Sequence, residues 1–273
     1  MAALPENLTH LDPQTRLLAR SILFLFGSFL SVENRLALTT TPSPVIYAFN
    51  HNNYWETLLV GSYLVTNRTG EKLAFIADWM FGRLPLFSWL LKRIDPIYTY
   101  RKTARFAVLD KYRQKIDAQA VCQACLERLH HGQSLGVFPE GARNNNPYQL
   151  KRGRKGVGEI ALRSGVPVLP MGIDFPQRIR KGRIPWFSPI ILRIGLPLSF
   201  PEECAASQAI NRDTSLSPLE RQRLQVFLSA RLTHRIMLEL ARLSGKEYPF
   251  SAPRISSQAK LYLEKTTGRG VLL

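Results

Sequence analysis

Residues 44–64 constrain the fold of this chain more tightly than any other stretch, because a buried strand hands over to a helix within them. Pro44-Val45-Ile46-Tyr47-Ala48-Phe49 is a short apolar run rich in β-branched and aromatic side chains, the pattern of a buried strand. Glu56-Thr57-Leu58-Leu59-Val60-Gly61-Ser62-Tyr63-Leu64 reads as a helix with an acid in its first turn. Asn50-His51-Asn52-Asn53-Tyr54-Trp55 lies between them. His51 therefore stands where a strand ends and a helix begins, the position at which α/β proteins put their chemistry.

His51 and Glu56 are five residues apart. On one regular helix they would diverge by about 140°. They meet only if His51 lies on the preceding turn and Glu56 in the first turn of the helix. An imidazole whose Nδ1–H is held by a carboxylate presents Nε2 as a general base. No serine or cysteine follows in a nucleophile motif, so the simplest chemistry is deprotonation of a substrate hydroxyl. The plainer alternative is a strand-end histidine that only caps the helix.

The same alternation continues along the chain. Strands are expected at 72–77, 96–100, 134–138, 166–173 and about 190–196, with helices at 103–130, about 157–163 and 218–243. This predicts an α/β fold: a mostly parallel central sheet flanked by helices, with an N-terminal apolar helix and a C-terminal helical extension. The chain has 273 residues, of which 45% are hydrophobic. That suits one large domain or one domain with an appendage, and excludes global disorder. The expected division is a membrane-associating helix in 1–39, a catalytic domain in 40–200 and a helical extension in 201–273. Residues 201–217 read as a linker. On the last helix Leu219, Leu224, Phe227, Leu232, Ile236 and Leu240 form the apolar stripe.

Leu17 to Val32 is strongly apolar, but only twelve uncharged residues separate Arg20 from Glu33. A spanning helix needs about 20. The run also lacks the placement and cleavage site of a signal peptide. It reads as one helix that lies in a membrane interface or packs on the domain. Residues 79–91, with Trp79, Phe81, Phe87 and Trp89, either fill the core or line a greasy groove. Lys and Arg exceed Asp and Glu by 37 − 20 = 17. Such a charge points to an anionic partner: nucleic acid, a phospholipid surface or a phosphorylated substrate. Three cysteines make no disulfide framework and fit a reducing compartment.

If the sheet is largely parallel, three strand ends bring polar groups to one edge: His51 and Glu56, then Arg101, then Glu140 and Arg143. Two arginines there suit the bidentate geometry of phosphate, and Lys155 can add a point charge.

These residues fall in four ordered blocks. They are Asn50-His51 with Glu56; Ile97-Tyr98-Thr99-Tyr100-Arg101; Phe138-Pro139-Glu140-Gly141 with Arg143; and Val166-Pro167-Val168-Leu169-Pro170. In them, over roughly residues 40–200, the chain resembles the lysophospholipid acyltransferases, whose best-known members are the 1-acyl-glycerol-3-phosphate acyltransferases. Lys155-Gly156 matches a further family feature. The resemblance implies that His51 deprotonates the acceptor hydroxyl and that Glu56 orients it. It also implies that Arg101, Glu140, Gly141, Arg143 and Lys155 bind substrate. The implied donor is acyl-CoA or acyl-carrier protein and the implied acceptor a lysophospholipid. An anionic membrane surface at the cytoplasmic face is the expected setting. No metal, cofactor or covalent intermediate is implied. Two positions depart from the family pattern: Glu56 stands where Asp is usual, and Asn144 where Ser or Thr is usual.

Three other readings compete. Gly132-Gln133-Ser134-Leu135-Gly136 spells a nucleophile elbow, with Asp174 and His234 following in hydrolase order. The elbow needs strand, turn, helix, and here a helix precedes Ser134 and a strand follows it. A nucleic-acid-binding protein would match the charge, but no such motif is present. A catalytically weak lipid-binding relative is kept open by Glu56. Cys122-x-x-Cys125 lies in a helical pattern with no second pair, which favours packing over metal or redox chemistry.

Overall fold

The computed structural model describes residues 12–67, 73–79, 96–100 and 117–267. The strands are β1 (Leu30–Glu33), β2 (Ile46–Phe49), β3 (Leu73–Asp78), β4 (Ile97–Thr99), β5 (Ser134–Val137), β6 (Val168–Asp174) and β7 (Ile190–Ile194). They form one seven-stranded sheet in the order β1-β7-β6-β2-β5-β3-β4. Every pairing is parallel except β6 with β7. The C-terminal ends of β2, β5, β3, β4 and β6 therefore share one edge, as the α/β expectation required.

The helices are α1 (Pro13–Phe26), α2 (Arg35–Thr40), α3 (Tyr54–Asn67), α4 (Ala118–His130) and α5 (Gly156–Ser164), then α6 (Arg178–Lys181), α7 (Pro201–Arg212), α8 (Pro218–Ser244) and α9 (Ser257–Thr267). β2 shows why they form two layers. Its four residues are all buried, and successive side chains point to opposite faces. Ile46 and Ala48 join a core with residues of α4, α5, α7, α8 and α9. Tyr47 and Phe49 join a second core with residues of α1, α2 and α3. Helices on both faces are what a parallel sheet requires.

α8 is anchored at both ends by its sequence. Ser217 and Glu220 form a reciprocal capping box, and Gly245 ends the helix at φ 62°. Leu228, Leu232, Ile236, Met237 and Leu240 are fully buried. A Cβ on Gly158 of α5 would meet the Ser229 carbonyl oxygen at 2.0 Å, so only glycine permits this approach of α5 to α8. The helices beyond residue 200 thus complete the core on one face of the sheet.

Three expectations are corrected. The apolar run 17–32 is not one helix: α1 ends at Phe26, Gly27–Phe29 is a 3-10 turn, and Leu30–Val32 lies in β1 beside β7. Residues 201–217 are not a linker, since Pro201–Arg212 is helical, with Pro201 in the first turn and Glu202 and Glu203 following. Leu219 does not face the core but is 55% exposed. The reading of Ser134 as a strand start, against the nucleophile elbow, holds. Ser134 is the buried first residue of β5, and its Oγ accepts a hydrogen bond from the Val45 N–H at 2.8 Å. Asp174 pairs with Arg178 and Arg193 instead of a histidine. Among the described residues no helix is long and apolar enough to cross a membrane. Residues 80–91 of the apolar segment and residues 103–116 of the expected helix lie outside the described residues.

Candidate active site

Asn50 fixes the start of the turn that carries His51. Its side-chain amide donates to the Ile173 carbonyl at 2.9 Å and accepts from the Ile173 N–H at 2.7 Å. This pair of bonds continues the β2–β6 ladder one residue past the end of β2. Asn53 then caps α3, its Oδ1 accepting from the Glu56 N–H at 3.2 Å. The cap places Glu56 in the first turn, with its carboxylate directed back over the turn.

Glu56 and His51 meet as the spacing required. His51 Nδ1 lies 2.9 Å from Glu56 Oε1. Glu56 is wholly buried and His51 is 16% exposed. Glu56 also accepts from Asn52, through the backbone N–H at Oε1 and the side-chain amide at Oε2. With Nδ1 held, the His51 tautomer leaves Nε2 as the basic nitrogen. The ring stacks on Phe138 at a centroid distance of 4.2 Å, which limits its rotation.

The loop after β5 clamps the same turn. Glu140 Oε1 accepts from the His51 N–H at 3.0 Å, and the Asn144 N–H donates to the His51 carbonyl at 2.7 Å. Glu140 Oε2 accepts from Asn144 Nδ2 and from the Lys151 N–H, both at 2.8 Å. Both carboxylate oxygens are thus occupied by protein donors. Burial pushes the Glu140 carboxyl above its ordinary range, and the N–H groups of His51 and Lys151, Asn144 and the Lys246 charge oppose that shift. Gly141 turns the loop at φ 64°, and a Cβ there would lie 2.3 Å from Arg154 Nε. Arg143 is exposed, with its guanidinium 3.9 Å over the Tyr54 ring. Lys155 is exposed just before α5, and among the described residues it makes no hydrogen bond to this cluster. Arg101 lies outside the described residues, although β4, which leads to it, ends at the same edge of the sheet.

Sequence reasoning missed Lys246. It follows the glycine that ends α8, and its Nζ donates to Asn52 Oδ1 at 2.6 Å and to the Asn146 carbonyl at 2.9 Å. A chain of contacts therefore runs Lys246, Asn52, Glu56, His51. Burial lowers the Lys246 pKa to about 8, against the attraction of Glu140 and Glu56. No local signal announced it, because its partner Asn52 is 194 residues away. The thiols of Cys122 and Cys125 are buried in α4 and pushed up to about 11 and about 12, which makes them packing groups.

Comparisons with known proteins bear on the family of the chain. A family model described as Acyltransferase matches residues 31–174. A chloroplastic 1-acyl-sn-glycerol-3-phosphate acyltransferase of Brassica napus is 30% identical over 141 residues, which are 49% of this chain and 34% of that protein. Its counterpart from Arabidopsis thaliana is 29% identical over 149 residues, 52% of this chain and 35% of that protein. A lyso-ornithine lipid O-acyltransferase of Pseudomonas aeruginosa is 25% identical over 175 residues, 63% of this chain and 60% of that protein. The chain spans about a third of the length of the two plant relatives. The solved 1-acyl-sn-glycerophosphate acyltransferase of Thermotoga maritima superposes with a TM-score of 0.49 at 19% identity, covering 85% of this chain and 80% of that one.

Proposed function

Because the chain belongs to the acyltransferase family, we propose that it moves a fatty acyl group from a thioester to the free hydroxyl of a lysophospholipid such as 1-acyl-glycerol-3-phosphate. The donor is acyl-CoA or acyl-carrier protein. The observation that carries this reading is the His51 Nδ1 to Glu56 Oε1 contact of 2.9 Å on the turn after β2, with Glu56 wholly buried.

His51 Nε2 takes the proton of the acceptor hydroxyl as its oxygen attacks the thioester carbonyl. The tetrahedral intermediate collapses with loss of the C–S bond. The departing thiolate recovers the proton from His51, so the imidazole ends as it began. Glu56 compensates the imidazolium and fixes the tautomer. Arg143 meets the acceptor phosphate, together with Arg101 and the point charge of Lys155. Glu140 and Gly141 act through the turn: the carboxylate holds the His51 backbone, and the left-handed glycine lets the loop fold beneath it. Lys246 is a positioning residue that holds Asn52 in the orientation Glu56 requires.

The setting is the surface of an anionic membrane, at the cytoplasmic face, with residues 1–39 as the associating segment and residues 40–200 as the catalytic unit. Residues 201–273 form a helical extension that supports it. α1 supports this. It buries Thr15, Ala19 and Ile22 and exposes Leu17, Phe24 and Leu25 at 69, 83 and 63%. Leu17, Ser21, Phe24 and Leu25 follow the i, i+4, i+7, i+8 spacing of one helical face. An outward apolar face on a helix too short to span suits the bilayer interface.

The test is acyl transfer from thioester donors to lysophosphatidic acid by wild type and His51→Ala. Phosphatidic acid formed by wild type and not by the variant is the expected result. Equal activity of the two would remove His51 as the base. No product from wild type across a panel of lysolipid acceptors would remove the function.

A further inference from the structure

The segment between β6 and β7, residues 175–189, inverts the usual rule for a protein surface. Ile179, Trp186 and Phe187 are 57, 67 and 65% exposed. Arg180, Lys181 and Arg183 are exposed beside them. No acid occurs between Asp174 and Glu202, so these cations are not balanced within the segment. Tryptophan with flanking Lys and Arg is the composition of segments seated at the headgroup level of a bilayer. The ring occupies the interface and the cations meet anionic headgroups.

The segment is held at both ends. At its base, the buried Arg178 donates to Asp174 Oδ1 at 2.8 Å and to the carbonyls of Ser244 and Gly245 at 3.2 and 2.6 Å. At its tip, Asn53 Nδ2 donates to the Pro185 carbonyl at 3.0 Å, and Trp55 Nε1 to the Ser188 carbonyl at 3.4 Å. Phe187 packs 4.7 Å from Trp55, and Trp186 lies 6.5 Å from Tyr54. Tyr54 carries the Arg143 guanidinium on its ring. Three residues just after His51 therefore form the floor on which the exposed aromatics stand.

We propose that residues 178–189 are a lipid-seating loop for an anionic bilayer, and that they set the depth of the His51 turn at the headgroup layer. The proposal rests on the lysophospholipid reading above and adds a seat separate from α1. Cations without an acid in their own segment, beside an exposed indole, fit a plane of anionic headgroups better than a protein face, which would need acids of matching geometry. Seated in this way, the loop holds Arg143 where the phosphate of a membrane-borne acceptor lies. The acceptor reaches His51 without leaving its leaflet.

The test uses the full chain and vesicles of phosphatidylcholine containing phosphatidylglycerol. Wild type is compared with Trp186→Ser and with the separate double variant Arg180→Glu/Lys181→Glu. Each variant is expected to lose roughly tenfold or more in vesicle affinity, from lost indole burial or lost headgroup attraction. Melting temperatures should stay unchanged. Acyl transfer to lysophosphatidic acid in vesicles should fall with affinity, while transfer to a monomeric short-chain lysophosphatidic acid stays at the wild-type rate. If wild type binds vesicles and both variants bind equally well, the loop is not the seat and the proposal falls, with the acyltransferase reading intact. If the variants keep vesicle affinity but lose transfer to both acceptors alike, the loop serves only to shape the turn, which also overturns it. If wild type neither binds vesicles nor acylates any lysolipid, the acyltransferase reading itself has failed.

Discussion

The turn after β2 and the loop after β6 leave the same edge of the sheet and are built on opposite plans. In the first, polar residues are inside: Asn50, Asn52, Asn53 and Glu56 are all buried. In the second, apolar residues are outside: Ile179, Trp186 and Phe187 face solvent. Each breaks the rule that sorts residues by polarity, and each break has its own physical support. The buried amides are tolerated because their hydrogen bonds are satisfied within the fold, by Ile173, Glu56, Lys246 and Pro185. The exposed rings have no such compensation in water, which is why a lipid surface is the environment that suits them. On the proposed reading the polar interior holds the chemistry and the apolar exterior meets the bilayer.

The contrast can be broken most severely at His51. His51→Ala removes the proposed base and should lower kcat for acyl transfer by about a thousandfold. The fold should survive, since the His51 backbone bonds to Glu140 and Asn144 do not need the side chain.

Lys246→Met should lower kcat by about tenfold by releasing Asn52. It should also change the pH profile. Wild-type activity is expected to fall as pH rises through about 8, where Lys246 loses its charge. The variant should show no such limb. Stability moves the opposite way. The folded pKa is lowered from 10.5 to about 8, so between these values the unfolded chain binds a proton that the native chain does not. Unfolding free energy from this group therefore rises across that window, on the order of 3 kcal/mol, and its burial penalty is fully present below pH 8. Denaturant titrations of wild type and variant at pH 7 and pH 10 check the sign.

Asn50→Ala leaves the Ile173 N–H and carbonyl without partners in a buried site. A loss of about 2 kcal/mol in unfolding free energy is expected, read from chemical denaturation. Trp186→Ser should change the same quantity by no more than about 0.5 kcal/mol. Equal losses at the two positions would erase the contrast, because the exposed ring would then be a packing element.

What the sequence disclosed follows from the range over which each signal acts. His51 and Glu56 were legible because strand, turn and helix start lie within twenty residues and their geometry is local. β1 was hidden because Leu30-Ser31-Val32 continues the apolar run of α1, and only its pairing with β7 makes it a strand. α7 was overlooked because few of its residues are apolar. Pro201, Glu202 and Glu203 nevertheless form a helix-start signal that could have found it. Lys246 was beyond reach, because nothing near it in the sequence records that Asn52 and Asn146 will stand beside it. Lys246, just past the helix that ends at Ser244, also lies outside the matched residues 31–174.

The reversal of β7 against β6 gives the molecule a single working rim. A connection between parallel strands has to cross from one rim of a sheet to the other, whereas a connection between antiparallel strands returns to the rim it left. Residues 175–189 are such a return, so their aromatics emerge beside His51 instead of beneath the sheet. β1 runs with β7, its Leu30 level with Ile190, and the chain therefore enters the sheet at that rim too. Phe26, Phe29 and Phe187 all reach Trp55 from these two arrivals. The direction in which β7 is threaded between β1 and β6 thus gives the protein a top and a bottom.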